Sequence, residues 1–137
     1  MMQSKVVRAM NKASRFYESL GLTISGMRNE LSIGRNVIRV LKQPKYVCFR
    51  VNKSKNSIII FPCEYSDPMS YKVPENIILH HHNNLRIYSK EFVQSLLAAN
   101  QLDNDSTYTI NGKYYLEKNL VRFDFCDAFE NRMGISS

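Results

Sequence analysis

The stretch LSIGRNVIRVL, residues 31 to 41, leads into a basic series in which Arg35, Arg39 and Lys42 stand at i, i+4 and i+7. That spacing defines one face of a helix, with Val37, Ile38, Val40 and Leu41 turned the other way. Guanidinium and ammonium groups in such a row have the chemistry of a phosphate grip, because each can neutralise a phosphate and release its condensed counterion. Arg28, Lys45, Lys53 and Lys55 lie nearby in sequence and extend the set toward a continuous patch. Gly34 stands alone ahead of the helix, whereas a P-loop or a dinucleotide fingerprint needs several glycines to bring backbone amides onto phosphate oxygens. A nucleotide cradle is therefore not expected.

A second basic series precedes the first. Lys5, Arg8, Lys12 and Arg15 recur every three or four residues, and Val6, Met10, Ala13, Tyr17 and Leu20 form an apolar face at the same period. Residues 1 to 21 thus read as an amphipathic basic helix closed by Gly21. Such a helix suits nucleic-acid phosphates, an anionic membrane or an acidic protein groove. It also has the acid-poor character of a transit peptide, and it can equally dock by its apolar face with its cations in water. Residues 1 to 62 hold twelve Lys or Arg against two acids, a net of +10, while residues 63 to 137 carry −3. This asymmetry points to a basic working half that meets a polyanion or an acidic partner.

Other chemistry is weaker. Cys48, Cys63 and Cys126 are widely spaced with no C-x-x-C pair, which argues against a disulfide framework or a zinc site and for buried structural thiols in a reducing compartment. His80, His81 and His82 are consecutive, so they cannot all face one metal from a strand, and an exposed loop or edge strand is the better reading. Asp124, Asp127 and Glu130 form an acidic group with no His, Ser or Cys arranged to complete a catalytic set. Five tyrosines, Tyr71, Tyr88, Tyr108, Tyr114 and Tyr115, can stack on bases but suit half-buried strand packing as well. No enzyme activity, cofactor or metal is expected.

The elements that must position these residues are short. With 137 residues, 44% of them hydrophobic and 11% aromatic, the chain suits one compact domain, and it has no apolar run of bilayer-spanning length. A cytoplasmic, membrane-free protein is the expectation. ELSI reads as a strand, and KYVCFRV and SIIIFPC flank the polar loop NKSKN as a hairpin. Residues 64 to 84 read as a connector with one short strand at 77 to 79. LRIY then begins a second strand, Ser89 caps a helix that buries Phe92, Val93, Leu96 and Leu97, and STYTI and KYYLE lie around Asn111-Gly112, which favours a type I′ hairpin turn. A final strand runs over 120 to 125. The order strand, helix, hairpin thus occurs twice, over 22 to 63 and 85 to 126. The expected fold is α+β: a β-rich domain of two tandem strand-helix-hairpin units behind the N-terminal helix.

This repeat resembles the swapped-hairpin family of AbrB, MazE and MraZ transcription factors. The residues that carry the likeness are 33 to 41 and 87 to 97, with Arg39 and Leu41 where an Arg and a Leu often close the family's helix. The resemblance implies interleaved strands, a possible homodimer, and basic residues that grip duplex DNA. A small DNA-binding regulator is the resulting expectation. The alternative is a protein-binding inhibitor, for example one encoded by a mobile element, that docks the basic half on an acidic or nucleic-acid-binding surface.

Overall fold

The computed structural model describes residues 20–75, 77 and 84–131. Within them the chain runs β1 (Gly21–Ser25), β2 (Glu30–Ile33), α1 (Arg35–Val40), β3 (Tyr46–Val51), β4 (Ser57–Pro62) and β5 (Ser70–Lys72). It continues as β6 (Leu85–Tyr88), α2 (Lys90–Ala99), β7 (Thr107–Asn111), β8 (Lys113–Tyr115), β9 (Leu120–Asp124), a 3-10 turn (Phe125–Asp127) and β10 (Phe129–Glu130). The strands form two five-stranded antiparallel sheets, ordered β10-β7-β1-β2-β6 and β5-β3-β4-β9-β8.

Strand alternation builds one core from both sheets. The first contributes Leu22, Ile24, Leu31, Ile33, Leu85, Ile87, Tyr108 and Ile110, and the second Val47, Ile58, Ile60, Val121 and Phe123. Val37 and Ile38 of α1 and Val93, Leu96 and Leu97 of α2 join the same cluster. Apolar side chains at every second strand position can bury only on one face, so the intervening positions of each sheet face away from this core.

The α+β expectation is corrected: the protein is mostly β. Among the described residues only α2 is longer than seven residues. The strands of each expected unit also do not pair as a unit, because β2 lies between β1 and β6, while β4 lies between β3 and β9. The β3-β4 hairpin and the Ser89 cap, whose hydroxyl accepts from the Phe92 amide at 3.2 Å, are as expected. Asn111-Gly112 is not a hairpin turn. β7 pairs with β1 and β10, β8 pairs with β9, and Gly112 carries the chain from one sheet to the other. The hairpin turn lies instead between β8 and β9, where Asn119 has the left-handed φ of 50°. The connector's strand is β5, on the edge beside β3, rather than at 77 to 79; Ile77 sits in a turn and its two successors lie outside the described residues. So do the expected N-terminal helix through residue 19 and His80, His81 and His82.

Candidate nucleic-acid interface

The α1 segment answers the phosphate-grip question in part. Gly34 has φ −68° and ψ 153°, an extended conformation open to any residue, and its amide donates to the Gly21 carbonyl at 3.0 Å. It is a joint between strand and helix. Lys42 is not on the helical face expected for it, because α1 ends at Val40 and Lys42 and Gln43 take φ of 70° and 52°. The Gln43 amide closes the helix on the Ile38 carbonyl at 2.9 Å, and Pro44 prevents its continuation. Arg39 is exposed and donates to the Asn36 side chain at 3.2 Å, while Arg35 is half-buried.

The other nominated cations are dispersed. Lys42 and Lys45 precede β3, whereas Lys53 and Lys55 lie in the turn after it, so the six residues of β3, ~20 Å in length, separate the pairs. Arg28 is engaged by Glu30 at 3.0 Å, and Arg86 reaches the other oxygen of the same carboxylate at 3.4 Å. Glu30 is nearly buried, so these two arginines neutralise a carboxylate that would otherwise lose hydration uncompensated. They lie on the outer face of the first sheet with Thr23, Ser32 and Tyr88 around a polar depression of about 420 Å³. Lys5, Arg8, Lys12 and Arg15 lie outside the described residues.

The outer face of the second sheet is different. Cross-strand register aligns Arg50, Ile59, Arg122 and Lys113 in one row over β3, β4, β9 and β8. At about 4.8 Å per strand the row spans ~14 Å. Beside it, Phe61, Leu120 and Tyr115 form an apolar and aromatic band; Leu120 pairs with Tyr115, and Phe61 and Leu120 line a shallow depression of about 390 Å³ with Arg50 and Lys118. The Arg50 guanidinium lies 5.5 Å from the centre of the Phe61 ring, within cation-π range. Arg122 is paired with Asp124 at 2.8 Å, which raises the guanidinium's pKa and lowers what it can offer an anion. Arg50, Lys113 and Lys118 are exposed and are not held by the ion pairs of Glu30 or Asp124.

Arg50, Lys113, Lys118 and Phe61 are not among the residues expected from the sequence, whereas Tyr115 is one of the five tyrosines read there as able to stack on bases. Alternation within KYVCFRV already sets Arg50 opposite Val47, but the β8-β9 half of the platform was hidden by the misplaced turn at Asn111-Gly112. Of the five tyrosines, Tyr108 is buried with its hydroxyl accepting from the Asp103 amide at 2.9 Å, Tyr71 packs edge-on to Phe49, and Tyr114 donates to Asn119 at 2.8 Å. Tyr88 and Tyr115 remain exposed, on opposite sheets.

Cysteine placement also departs from expectation. Cys126 is exposed, and the Cys48 and Cys63 sulfurs lie 2.8 Å apart with the Asp67 carboxylate beside them. Burial first, then the neighbouring Cys63 and Asp67, push the Cys48 thiol up to about 12. Among the described residues, no helix is long and apolar enough to cross a membrane. Compared with family models, with curated proteins and with solved structures, the chain matches none.

Proposed function

We propose that this protein binds nucleic acid, using the outer face of the second sheet as a platform and its basic N-terminal half as the source of further phosphate contacts. The observation that carries the reading is the row of Arg50, Arg122 and Lys113 beside Phe61, Leu120 and Tyr115, which sets cations and stacking surfaces side by side on one open sheet face. Phosphates are attracted to the first set, and bases, which all have a π-face, to the second.

The shape favours a single strand. A sheet of this width cannot enter a duplex major groove of about 12 Å, which admits a helix or a two-stranded ribbon, whereas an unpaired strand can lie across a sheet with its bases splayed onto aromatic rings. Duplex DNA, the substrate implied by the swapped-hairpin resemblance, stays as the comparison arm, and the basic sheet face supports the proposal independently of that resemblance. No enzymatic step is part of the proposal.

The test is fluorescence anisotropy of a labelled single strand of about 20 nucleotides, and of the matching duplex, titrated with the full chain between about 50 and 200 mM salt. Tighter binding of the single strand is expected, with log K falling linearly against log salt. The Arg50→Ala, Lys113→Ala variant is expected to flatten the slope by roughly 1.4 units, because each single-strand phosphate contact contributes about 0.7. Loss of stacking in Phe61→Ala is expected to cost about 1–3 kcal/mol with the slope unchanged. Preference for the duplex would move the site off this face, and no binding at low salt would leave the acidic-protein partner as the reading to pursue.

A further inference from the structure

The second sheet brings together three soft and hard donors that no sequence spacing announces. Cys48 is on β3, on the outer face of the sheet, yet only 3% exposed. Its cover is the chain between β4 and β5, which leaves β4 at Cys63, turns through Asp67 and returns to pair Ser70 of β5 with Cys48 itself. The Cys63 amide donates to the Tyr46 carbonyl at 3.0 Å and Ser70 pairs with Cys48, so both ends of this loop are fixed to the sheet, and the Ser70 amide donates to the Asp67 carbonyl at 3.1 Å within the turn. The two sulfurs and an Asp67 carboxylate oxygen all lie within 4.8 Å of one another.

We propose that Cys48, Cys63 and Asp67 bind a thiophilic divalent cation, zinc by its chemistry, with water in the fourth position. Two thiolates and a carboxylate are the soft and hard anionic donors that zinc accepts, and the cation offsets most of their charge. Two thiolates on one tetrahedral zinc, with Zn–S ~2.3 Å, stand ~3.8 Å apart. The sulfurs therefore part by about 1 Å on binding, a movement within reach of their side-chain rotations. Asp67 separates this reading from a disulfide. A disulfide has no use for a carboxylate, and a negative charge beside the thiols opposes the thiolate that begins disulfide exchange, whereas a cation is bound by all three groups. Cysteine binds zinc as the thiolate, so uptake of the metal releases protons. The role is a staple that ties the β4-β5 loop to β3.

Cobalt substitution tests the site. The full chain, reduced and freed of metal with chelator, is titrated with Co2+ and followed by its sulfur-to-cobalt charge-transfer absorption, then by displacement with Zn2+. One equivalent is expected to bring up the band and zinc to remove it. The half-buried Cys63 is the position to change first, since Cys63→Ser leaves the buried Cys48 in place; it is expected to halve the band and to remove the rise in Tm that zinc gives the parent protein. Asp67→Asn, which keeps both sulfurs, is expected to weaken binding about tenfold or more. No band in the reduced protein would overturn the proposal. So would a band that survives in the Cys48→Ser, Cys63→Ser double variant, which would place it on exposed Cys126, or a Cys48–Cys63 disulfide persisting under reductant.

Discussion

Cys48 shows how burial turns an ordinary side chain into a pH-dependent contribution to stability. Its thiol rises from an ordinary value of 9.0 to about 12, chiefly because the ionised form would lose its hydration, and then because Cys63 and Asp67 face it. Below pH 9 the thiol is protonated in both folded and unfolded chains, and its contribution is fully present. As pH rises through 9 the unfolded chain ionises while the folded one does not, so stability falls by about 1.4 kcal/mol per pH unit until the folded value is reached. Urea unfolding of the metal-free protein between about pH 8 and 11 is expected to show this fall, and Cys48→Ala to lack that part of it. Parallel curves for the two proteins would show that the thiol is not desolvated. The local sequence around each cysteine holds no sign of this meeting, because Cys48 and Cys63 are brought together by the β3-β4 hairpin and Asp67 by the loop that follows.

Two glycines illustrate how elements, rather than composition, decide what a residue is for. At Gly34 an added Cβ would meet nothing closer than the Gly21 carbonyl at 3.4 Å, and the backbone is one that any residue adopts. Gly34→Ala is expected to change stability by less than about 1 kcal/mol. At Gly112, a Cβ would come within 2.6 Å of the Phe123 ring and 2.7 Å of Val121, both fully buried on β9. Gly112→Ala is expected to cost about 1–3 kcal/mol by overpacking, and denaturant midpoints of the two variants measure the contrast. The dipeptide Asn111-Gly112 carries a strong local hairpin signal, but turn chemistry is only a local preference. Five register pairs between β7 and β1, with Ile110 opposite Leu22 and Tyr108 opposite Ile24, override it by burying the inner face of the pairing in the core. The glycine is needed there because a sheet crosses close to a ring, a requirement that its neighbours in sequence do not disclose.

Across the whole molecule one core holds both sheets. Phe123 is fully buried on the second sheet within a cluster that includes Leu22, Ile24 and Ile110 of the first. Phe123→Ala is expected to cost about 3–5 kcal/mol and to shift a single unfolding transition seen alike by far-ultraviolet circular dichroism and tyrosine fluorescence. Two separate transitions would mean that the sheets are energetically independent. The sequence alone determined the strands β2 to β4 and β6 to β9, the β3-β4 hairpin, the capped α2 and the basic character of the N-terminal half, because these follow from side-chain period, capping chemistry and charge, all local properties. Only the tertiary structure decided which strands pair, and with them the row of Arg50, Arg122 and Lys113 and the meeting of Cys48, Cys63 and Asp67. Antiparallel pairing between residues more than sixty positions apart, such as Ile59 with Arg122, is selected by burial of the common core, and no local preference encodes it.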